Sequence, residues 1–494
     1  MADFDLVIRG GTVVTAVDRM TCDIGVREGT IVALARDLPA GAQEIDARDK
    51  LVLPGGIDSH VHIEQKSSAG IMNADDFYSG TVSAAFGGNT TVIPFAAQHR
   101  GTSLRRTVEE YHERAGPKAV IDYAFHLIVS DPSEEVLQRE LPALIHEGYT
   151  SLKVYMTYDL LKLDDYQMLE VLSVARREGA MMMVHAENHD MIRWLGERLL
   201  AGGHRAPRYH AVSHARLAEG EATHRAISLS ELMDVPILIV HVSAEESMEQ
   251  IRWAQGRGLR IYGETCPQYL FLTAKDLDRP NLDGAMFCCS PPVRDEAAQQ
   301  AMWRGLGNGT FQVFSSDHAP FRFDEGGKLI KGPKASFKEI PMGLPGIELR
   351  LPLLFSGGVQ QGRLDINRFV ALASTNAAKL YGLYPRKGTI AIGSDADLAI
   401  WDPHKKVHVT AEVLHDNTGY TPYAGRDLTG WPVTVISRGR VVCDAGKLHV
   451  DRGSGRFQRR ELSEPARPLG RLVSEMDPQR NFGARFFPER AEEK

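Results

Sequence analysis

The stretch LVLPGGIDSHVH, residues 51–62, joins an apolar strand pattern to a pair of histidines. Successive side chains of an extended strand point to opposite faces, so His60 and His62 point to the same side. Two neutral imidazoles mounted on a rigid strand end can bind one metal ion. The stretch therefore predicts a buried strand that carries half of a metal site.

The composition restricts the class of protein. The chain has 494 residues, 43% of them hydrophobic and 24% charged, which is enough for one large domain and a smaller one. Its net charge of -7 gives no basic surface for nucleic acid, and no apolar run is as long as a membrane span. The five cysteines are odd in number and lack Cys-x-x-Cys spacing, which predicts reduced thiols in a cytoplasmic protein.

Short apolar strands alternate with helix-like stretches through the middle of the chain. About eight such β-then-α units predict an α/β fold, a TIM (β/α)8 barrel over residues 53–385. A doubly wound open sheet is the structural alternative, although no Gly-x-Gly-x-x-Gly follows the early strands. The predicted strands begin near Leu51, Thr91, Ile121, Ser151, Ala180, Pro236, Leu259 and Phe311.

Both ends of the chain have a different texture, with short strand signals separated by turns. Residues 1–52 and 386–452 are predicted to form one small β-sandwich domain, with late strands at 388–393, 396–401 and 433–436. Residues 453–494 form a tail rich in Arg, Glu and Pro. Its Phe486 and Phe487 are candidates for contact with a neighbouring subunit, and a disordered end is the alternative.

Several predicted barrel strands end in a residue that can bind metal. Catalytic groups of TIM barrels gather at the C-terminal ends of the strands, so we expect these side chains to meet the first two histidines at one mouth. Taken singly, each has an ordinary structural explanation, such as a hydrogen-bonded core histidine or a helix cap. The residues are Lys153, His185, His241 and Asp317.

Other histidines are predicted to be structural. His210 and His214 have helical spacing, but no Glu follows His210 as in metalloproteases. Together with His204 and His224 they predict a solvated helix face. His318, directly after Asp317, points elsewhere on a strand and is expected at most to support a metal ligand.

The order of these motifs resembles that of the cyclic amidohydrolases, in particular the dihydropyrimidinase/D-hydantoinase branch. The resemblance extends over nearly the whole chain. It rests on GIDSHVH (56–62), SLKVYMTY (151–158), VHAEN (184–188), VHVS (240–243), GETCPQYL (263–270), CSPP (289–292), SDHAP (316–320) and GSDADL (393–398).

The resemblance implies two zinc ions, with manganese or cobalt as alternatives, bridged by Lys153 carboxylated to N6-carboxylysine. A lysine among metal ligands supports this, because an ammonium would repel dications whereas a carbamate formed with CO₂ offers one anionic oxygen to each metal. The implied ligands are His60, His62 and Asp317 for one metal and His185 and His241 for the other.

The same resemblance implies a reaction, the ring opening of a dihydropyrimidine or 5-substituted hydantoin to an N-carbamoyl amino acid. A hydroxide held between the metals attacks the ring amide, and Asp317 acts as the general base. Tyr158 would hydrogen-bond the oxyanion. Ser290 falls where the family holds the cyclic imide, and Met342 stands where the family commonly has an Asn that contacts substrate through its main chain. The branch also implies a homotetramer or homodimer.

Two features leave the substrate open. The segment IEQKSSAG, residues 63–70, is more polar than expected for a lid, so we hypothesise that Gln65 or Lys66 meets a polar group on the ring. A dihydroorotase usually carries Arg soon after its His-x-His, whereas IEQ follows here; allantoinase is a further alternative. A non-enzymatic dihydropyrimidinase-related scaffold would lose ligands, and all six ligand types are present.

Overall fold

The computed structural model describes residues 3–67, 70–473 and 476. Its strands form two sheets, and its helices lie mostly between the strands of the second sheet. The strands are β1 (Leu6–Val14), β2 (Arg19–Arg27), β3 (Thr30–Ala35), β4 (Gln43–Asp46), β5 (Leu51–Pro54), β6 (Gly56–Val61), β7 (Asn89–Ala97), β8 (Asp122–Tyr123), β9 (His126–Ile128), β10 (Ser151–Tyr155), β11 (Met181–His185), β12 (Ile237–Ile239), β13 (Ile261–Thr265), β14 (Val313–Phe314), β15 (Leu398–His408), β16 (Asp427–Ser437), β17 (Arg440–Asp444) and β18 (Lys447–Leu448).

The helices cover the outside of the second sheet. Their boundaries follow ordinary capping chemistry: Asp164 caps the fourth helix in a capping box, and Gly179 ends it in the left-handed conformation at φ 79°. The helices are α1 (Phe77–Phe86), α2 (Leu104–Ala115), α3 (Leu141–His146), α4 (Asp165–Glu178), α5 (His189–Ala201), α6 (Tyr209–Ser213), α7 (Arg216–Met233), α8 (Glu245–Gly256), α9 (Gln268–Phe271), α10 (Glu296–Asn308), α11 (Arg350–Leu354), α12 (Ile366–Val370) and α13 (Asn376–Leu380).

The second sheet is parallel and follows chain order, β6-β7-β9-β10-β11-β12-β13-β14, with the short β8 beside β7. Every residue of β7 and β10 is buried, as expected for parallel strands covered on both faces. This order has no reversal, so the doubly wound sheet is excluded. The predicted TIM barrel is confirmed, although the strand expected near residue 121 is divided into β8 and β9.

The first and last strands of the barrel meet next to the opening motif. Val61 forms a parallel bridge with His318, and the His62 amide donates to the His318 carbonyl at 2.7 Å. The Asp58 carboxylate accepts the Ser316 amide at 3.1 Å. The DSHVH pentad therefore closes the barrel as well as carrying the two histidines.

The first sheet draws its strands from both chain ends, in the order β18-β17-β16-β15-β5-β1-β2-β3 with β4 beside β1. It folds around its own apolar cluster, to which Ile8, Ile24, Val52 and Ile400 contribute. This confirms the predicted β domain. The expected strand at residues 388–393 is wrong: that segment is a series of turns, with Gly393 at φ 92°. The domain limits themselves stay predictions.

The described part of the tail packs against the barrel. Phe457 lies against the rings of Tyr123 and Tyr149, and the Arg460 guanidinium donates to Ser151 Oγ at 2.7 Å. Phe486 and Phe487 lie outside the described residues. Among the described helices, none combines the length and the hydropathy needed to cross a membrane.

Candidate metal centre and active site

One cluster of candidate metal ligands lies where the barrel closes. Ligand atoms of His60, His62 and Asp317 all lie within 4.8 Å of one another. The Nε2 atoms of both histidines are 3.3 Å from the same Asp317 oxygen. Two imidazole nitrogens and a carboxylate oxygen form a donor set that suits zinc and related divalent metals.

Neighbouring side chains orient these imidazoles. His60 Nδ1 is 2.6 Å from Glu264 Oε1, and His62 Nδ1 is 2.8 Å from Gln65 Oε1. When Nδ1 donates its proton to these oxygens, Nε2 is left with a free lone pair towards Asp317. Burial raises the pKa of the Glu264 carboxyl to about 8, and the charge of Lys153 opposes that shift.

A second pair of imidazoles stands beside the first cluster. The His185 and His241 rings are 4.4 Å apart, and the His241 ring is 5.3 Å from that of His60. His185 Nε2 lies 2.8 Å from Glu187 Oε2, which leaves its Nδ1 free for a ligand. Burial lowers the pKa of both imidazoles, and the charge of His185 lowers the pKa of His241 further. Both imidazoles are therefore neutral and can donate a lone pair to a metal ion.

Lys153 lies beside both clusters, and its ammonium has no hydrogen-bond partner among the described residues. Its side chain is fully buried, and its Nζ makes no hydrogen bond among the described residues. It sits 5.3 Å from the Phe95 ring and 5.1 Å from the Tyr155 ring. Burial lowers the pKa of the ammonium to about 7. A charged group buried in this way is unfavourable, and a chemical change at Nζ would relieve it.

Three of the predicted site residues leave their strands through left-handed backbone. Tyr158, His241 and Asp317 have φ values of 72°, 39° and 49°. Side chains other than glycine rarely adopt this region, and such strain is concentrated at functional sites. The turn that each residue makes at its strand end directs its side chain into the barrel mouth.

A cavity of about 440 Å³ opens over these groups. Tyr158, Ser290 and Met342 line it, as the sequence predicts for residues that contact a small substrate. A second cavity of about 690 Å³ adjoins it and shares these three residues. The partly buried phenol of Tyr158 has a pKa raised well above its ordinary value, first by burial and then by Glu187, so it stays a hydrogen-bond donor.

The hypothesis that Gln65 or Lys66 meets a polar group of the substrate stays a prediction, and the two side chains differ in position. The Gln65 amide lines the cavity and its Oε1 bonds to His62, whereas Lys66 is exposed and forms an isolated antiparallel β-bridge with Met72. Ser67 and Asn73 add further polar groups to the lining. Asn73 Oδ1 is buried without a hydrogen-bond partner among the described residues.

The prediction of a solvated face is wrong for His210 and His214. Their exposed fractions are 2% and 8%, and each bonds to a group next to the site. His204 and His224 are exposed as predicted. Sequence reasoning also assigned no role to Glu264, although it lies in the GETCPQYL motif at the end of β13, where a barrel strand presents site residues.

His318 is fully buried, and its Nε2 lies 3.0 Å from Asp75 Oδ2. Its Nδ1 accepts the Gly346 amide at 3.1 Å. The residue therefore supports the barrel closure beside Asp317.

The barrel, the two imidazole clusters and the buried lysine define a metal-dependent hydrolase. Sequence comparison agrees: residues 51–442 match the Amidohydrolase family. D-hydantoinase of Geobacillus stearothermophilus is 43% identical over 457 residues, which are 92% of this chain and 96% of that protein. D-hydantoinase of Ralstonia pickettii is 41% identical over 92% of this chain and 99% of its own length.

A solved structure of dihydropyrimidinase from Brevibacillus agri NCHU1002 superimposes with a TM-score of 0.90 at 42% identity. The match covers 92% of this chain and 99% of that one. The chain therefore belongs to the amidohydrolase family, and the resemblance to the dihydropyrimidinase/D-hydantoinase branch is confirmed. The family together with the His and Asp cluster supports a binuclear metal site.

Proposed function

We propose that this protein opens the ring of a cyclic ureide, a dihydropyrimidine or a 5-substituted hydantoin, to give an N-carbamoyl amino acid. The observation that carries the proposal is that two imidazole pairs and Asp317 line one cavity, next to the buried Lys153 Nζ that has no hydrogen-bond partner among the described residues. The names of the D-hydantoinase and dihydropyrimidinase relatives support the same substrate class.

The residues present fit two zinc ions, with manganese or cobalt as alternatives. His60, His62 and Asp317 would hold one cation, and His185 and His241 the other. Lys153 would bridge them as N6-carboxylysine: its neutral amine attacks the carbon of CO₂, the N–C bond forms as one C=O π bond opens onto oxygen, and the nitrogen loses one proton to solvent. The depressed pKa supports this step, because about half of the amine is already neutral near pH 7.

When bound, the two cations would lower the pKa of the attacking water and polarise the ring carbonyl. Asp317 accepts the proton of the attacking water and delivers it to the leaving ring nitrogen as the C–N bond breaks. Tyr158 donates its phenolic hydrogen to the oxyanion of the tetrahedral intermediate. Ser290 and the main chain of Met342 orient the imide edge of the ring.

The cavity favours a small ring with a short substituent. Its volume of about 440 Å³ lies within the range of small-molecule sites, and Ser67 and Asn73 offer polar contacts to a ring substituent. The dihydroorotase alternative lacks its expected Arg after His62, where Gln65 instead orients the imidazole. Allantoin is retained as an alternative substrate.

A hydrolysis panel tests the proposal. The zinc-loaded protein, prepared with bicarbonate, is assayed on dihydrouracil, hydantoin, 5-substituted hydantoins, allantoin and dihydroorotate, with N-carbamoyl products followed by chromatography. We expect the highest kcat/KM on a dihydropyrimidine or hydantoin. Asp317→Asn should abolish turnover, whereas Asp324→Asn, at an exposed carboxylate, should not. Preference for dihydroorotate or allantoin would overturn the substrate assignment, and no turnover would favour the scaffold alternative.

We also propose a cytoplasmic homotetramer or homodimer. All five cysteines are buried free thiols, which suits a reducing compartment. Large apolar side chains at Trp194, Val212 and Leu217 are more than half exposed, as expected of surfaces that subunits cover. Light scattering coupled to gel filtration tests the assembly, and a monomer at micromolar concentration would contradict it.

A further inference from the structure

Helix α6 and the residue after it bring two buried histidines to the wall of the site. His210 and His214 lie one turn apart with ring centres separated by 4.5 Å, and both line the larger cavity. Each side chain bonds to a different part of the active site. The proposed reaction assigns no function to either hydrogen bond.

His214 reaches the second metal pair through a carboxylate. Its Nδ1 is 2.8 Å from Glu187 Oε1, and the other oxygen of Glu187 is 2.8 Å from His185 Nε2. Glu187 is fully buried. Glu187 therefore orients the His185 ring, and His214 holds Glu187 in place.

His210 reaches the loop that carries Ser290. Its Nε2 donates to the Cys289 carbonyl at 2.7 Å, and this carbonyl belongs to the peptide that leads into Ser290. A carbonyl oxygen can only accept, so the proton is on Nε2 of His210. This bond fixes the main chain next to the residue expected to hold the cyclic imide.

A buried hydrogen-bond network holds the main chain at His214. Arg294, which is 6% exposed, donates to the His214 carbonyl, to Glu219 Oε2 at 2.9 Å and to Ser243 Oγ at 3.0 Å. Displacement of α6 would disturb this buried network. The helix is thus held firmly enough to set the position of groups that bond to it.

We propose that His214 and His210 are separate positioning residues, His214 acting on the metal ligand His185 through Glu187 and His210 acting on the imide-binding loop through Cys289. The proposal rests on the proposed function for the identity of the two groups that are positioned. His214 therefore affects the affinity for metal and His210 the affinity for substrate, although the two residues are one helical turn apart.

Nitrogen-matched substitutions test the assignment. The amide nitrogen of Asn falls near the place of His Nδ1, and that of Gln near the place of Nε2. His214→Asn and His210→Gln should therefore keep the bonds, whereas His214→Leu and His210→Leu remove them. His224→Leu, at an exposed histidine of α7, is the matched control. Zinc affinity is measured by calorimetric titration of apoprotein, and KM is measured at saturating zinc.

For His214→Leu we expect about a 10- to 100-fold loss of affinity for one of the two zinc ions, the usual effect of removing a partner of a metal ligand, with KM unchanged. For His210→Leu we expect zinc affinities as in the unsubstituted protein and a KM raised about threefold to tenfold, as for the loss of one hydrogen bond. The Asn and Gln variants should restore the respective values.

A purely structural role would move zinc affinity and KM together in both Leu variants, and this result, or no change in either, would overturn the proposal. If a Leu variant does not fold, the Asn and Gln variants decide, because swapping them (His214→Gln, His210→Asn) should reproduce each specific loss. If zinc affinity responds as expected but no cyclic ureide is hydrolysed, the proposed reaction fails while the assignment of His214 stands. A wild-type protein that binds no zinc would overturn both.

Discussion

At the scale of single residues, the burial of the Lys153 amine is difficult to explain unless the amine is carboxylated. Its amine is fully buried, unpartnered in the described structure and surrounded by imidazoles and aromatic rings. Burial depresses its pKa to about 7, so the neutral amine is abundant at physiological pH. The same burial that makes an ammonium costly makes the amine available to CO₂.

CO₂ capture by the apoprotein should therefore depend on pH. With a pKa of about 7, the neutral fraction of Lys153 rises from about one tenth at pH 6 to about nine tenths at pH 8. At a fixed concentration of dissolved ¹³CO₂, we expect the rate of appearance of a carbamate ¹³C resonance to rise over this interval. Lys153→Ala should show no such resonance, and a signal that persists in that variant would place the carbamate elsewhere.

Tyr158→Phe tests the oxyanion donor. Loss of one preorganised donor costs about 10²-fold in kcat, while substrate binding through Ser290 and Met342 should hold KM within a few-fold. Steady-state kinetics on the best substrate of the panel measures both constants. Tyr166→Phe, at a side chain that is 73% exposed, is the control. A kcat equal to that of the unsubstituted protein would remove Tyr158 from the reaction.

At the scale of elements, the loop after Pro341 places Met342 in the cavity. The glycine that follows Met342 has a backbone conformation and a close neighbour that disfavour any side chain. Gly343 has φ 148°, and a Cβ there would lie 2.4 Å from the Ala319 carbonyl oxygen. Gly343→Ala should therefore displace the loop and raise KM several-fold with a smaller effect on kcat. Gly446→Ala, at a hairpin with open space around it, should leave both constants unchanged. An unaltered KM for Gly343→Ala would show that this loop does not hold substrate.

The barrel and the positions of the candidate metal ligands could be predicted from sequence because they depend on local rules. Parallel strands buried on both faces read as apolar runs, and ligands such as His185 and Asp317 follow those runs directly. The environment of His210 and His214 could not be read in this way. Helical spacing says which residues share a face, but the groups that cover that face, Glu187 and the Cys289 carbonyl, come from distant loops.

The turns at 388–393 illustrate a second limit. Alternation of Ile390 and Ile392 with small residues resembles a strand, yet Ile392 is 68% exposed and Gly393 turns the chain before β15. The role of Glu264 was missed for a related reason. An acidic residue at a strand end is recognisable as a candidate site residue. Its partner His60, however, is 204 residues away in sequence and comes next to Glu264 only when the barrel closes.

At the scale of the whole molecule, one buried lysine joins the barrel to the β domain. Lys387 Nζ lies 2.8 Å from Asp122 in β8, 3.0 Å from Asp395 and 2.5 Å from Asp397 before β15. These three carboxylates also satisfy the geometry of a metal cluster, but the Lys387 ammonium already bonds to all three and Arg438 pairs with Asp122 as well. The group is a structural ion-pair network that fixes the two parts of the protein together.

Lys387→Met should leave those carboxylates without their shared cation. Breaking a buried ion pair by removing one partner costs about 3–5 kcal/mol, so we expect a large fall in the free energy of unfolding measured by denaturant titration. Activity per folded molecule should be retained, because the network lies away from the cavity lining. Lys405→Met, at an exposed lysine of β15, should be nearly neutral. Equal stability of the two variants would contradict this account of the junction.

We propose that this chain is a two-metal hydrolase of cyclic ureides, and titration of the apoprotein with zinc in the presence of bicarbonate is the measurement that decides it. Activity on hydantoin or dihydrouracil should rise from background and reach a plateau at two zinc ions per chain, with an N-carbamoyl amino acid as the product. Full activity in the metal-free protein, or none with two zinc ions bound, would contradict the claim.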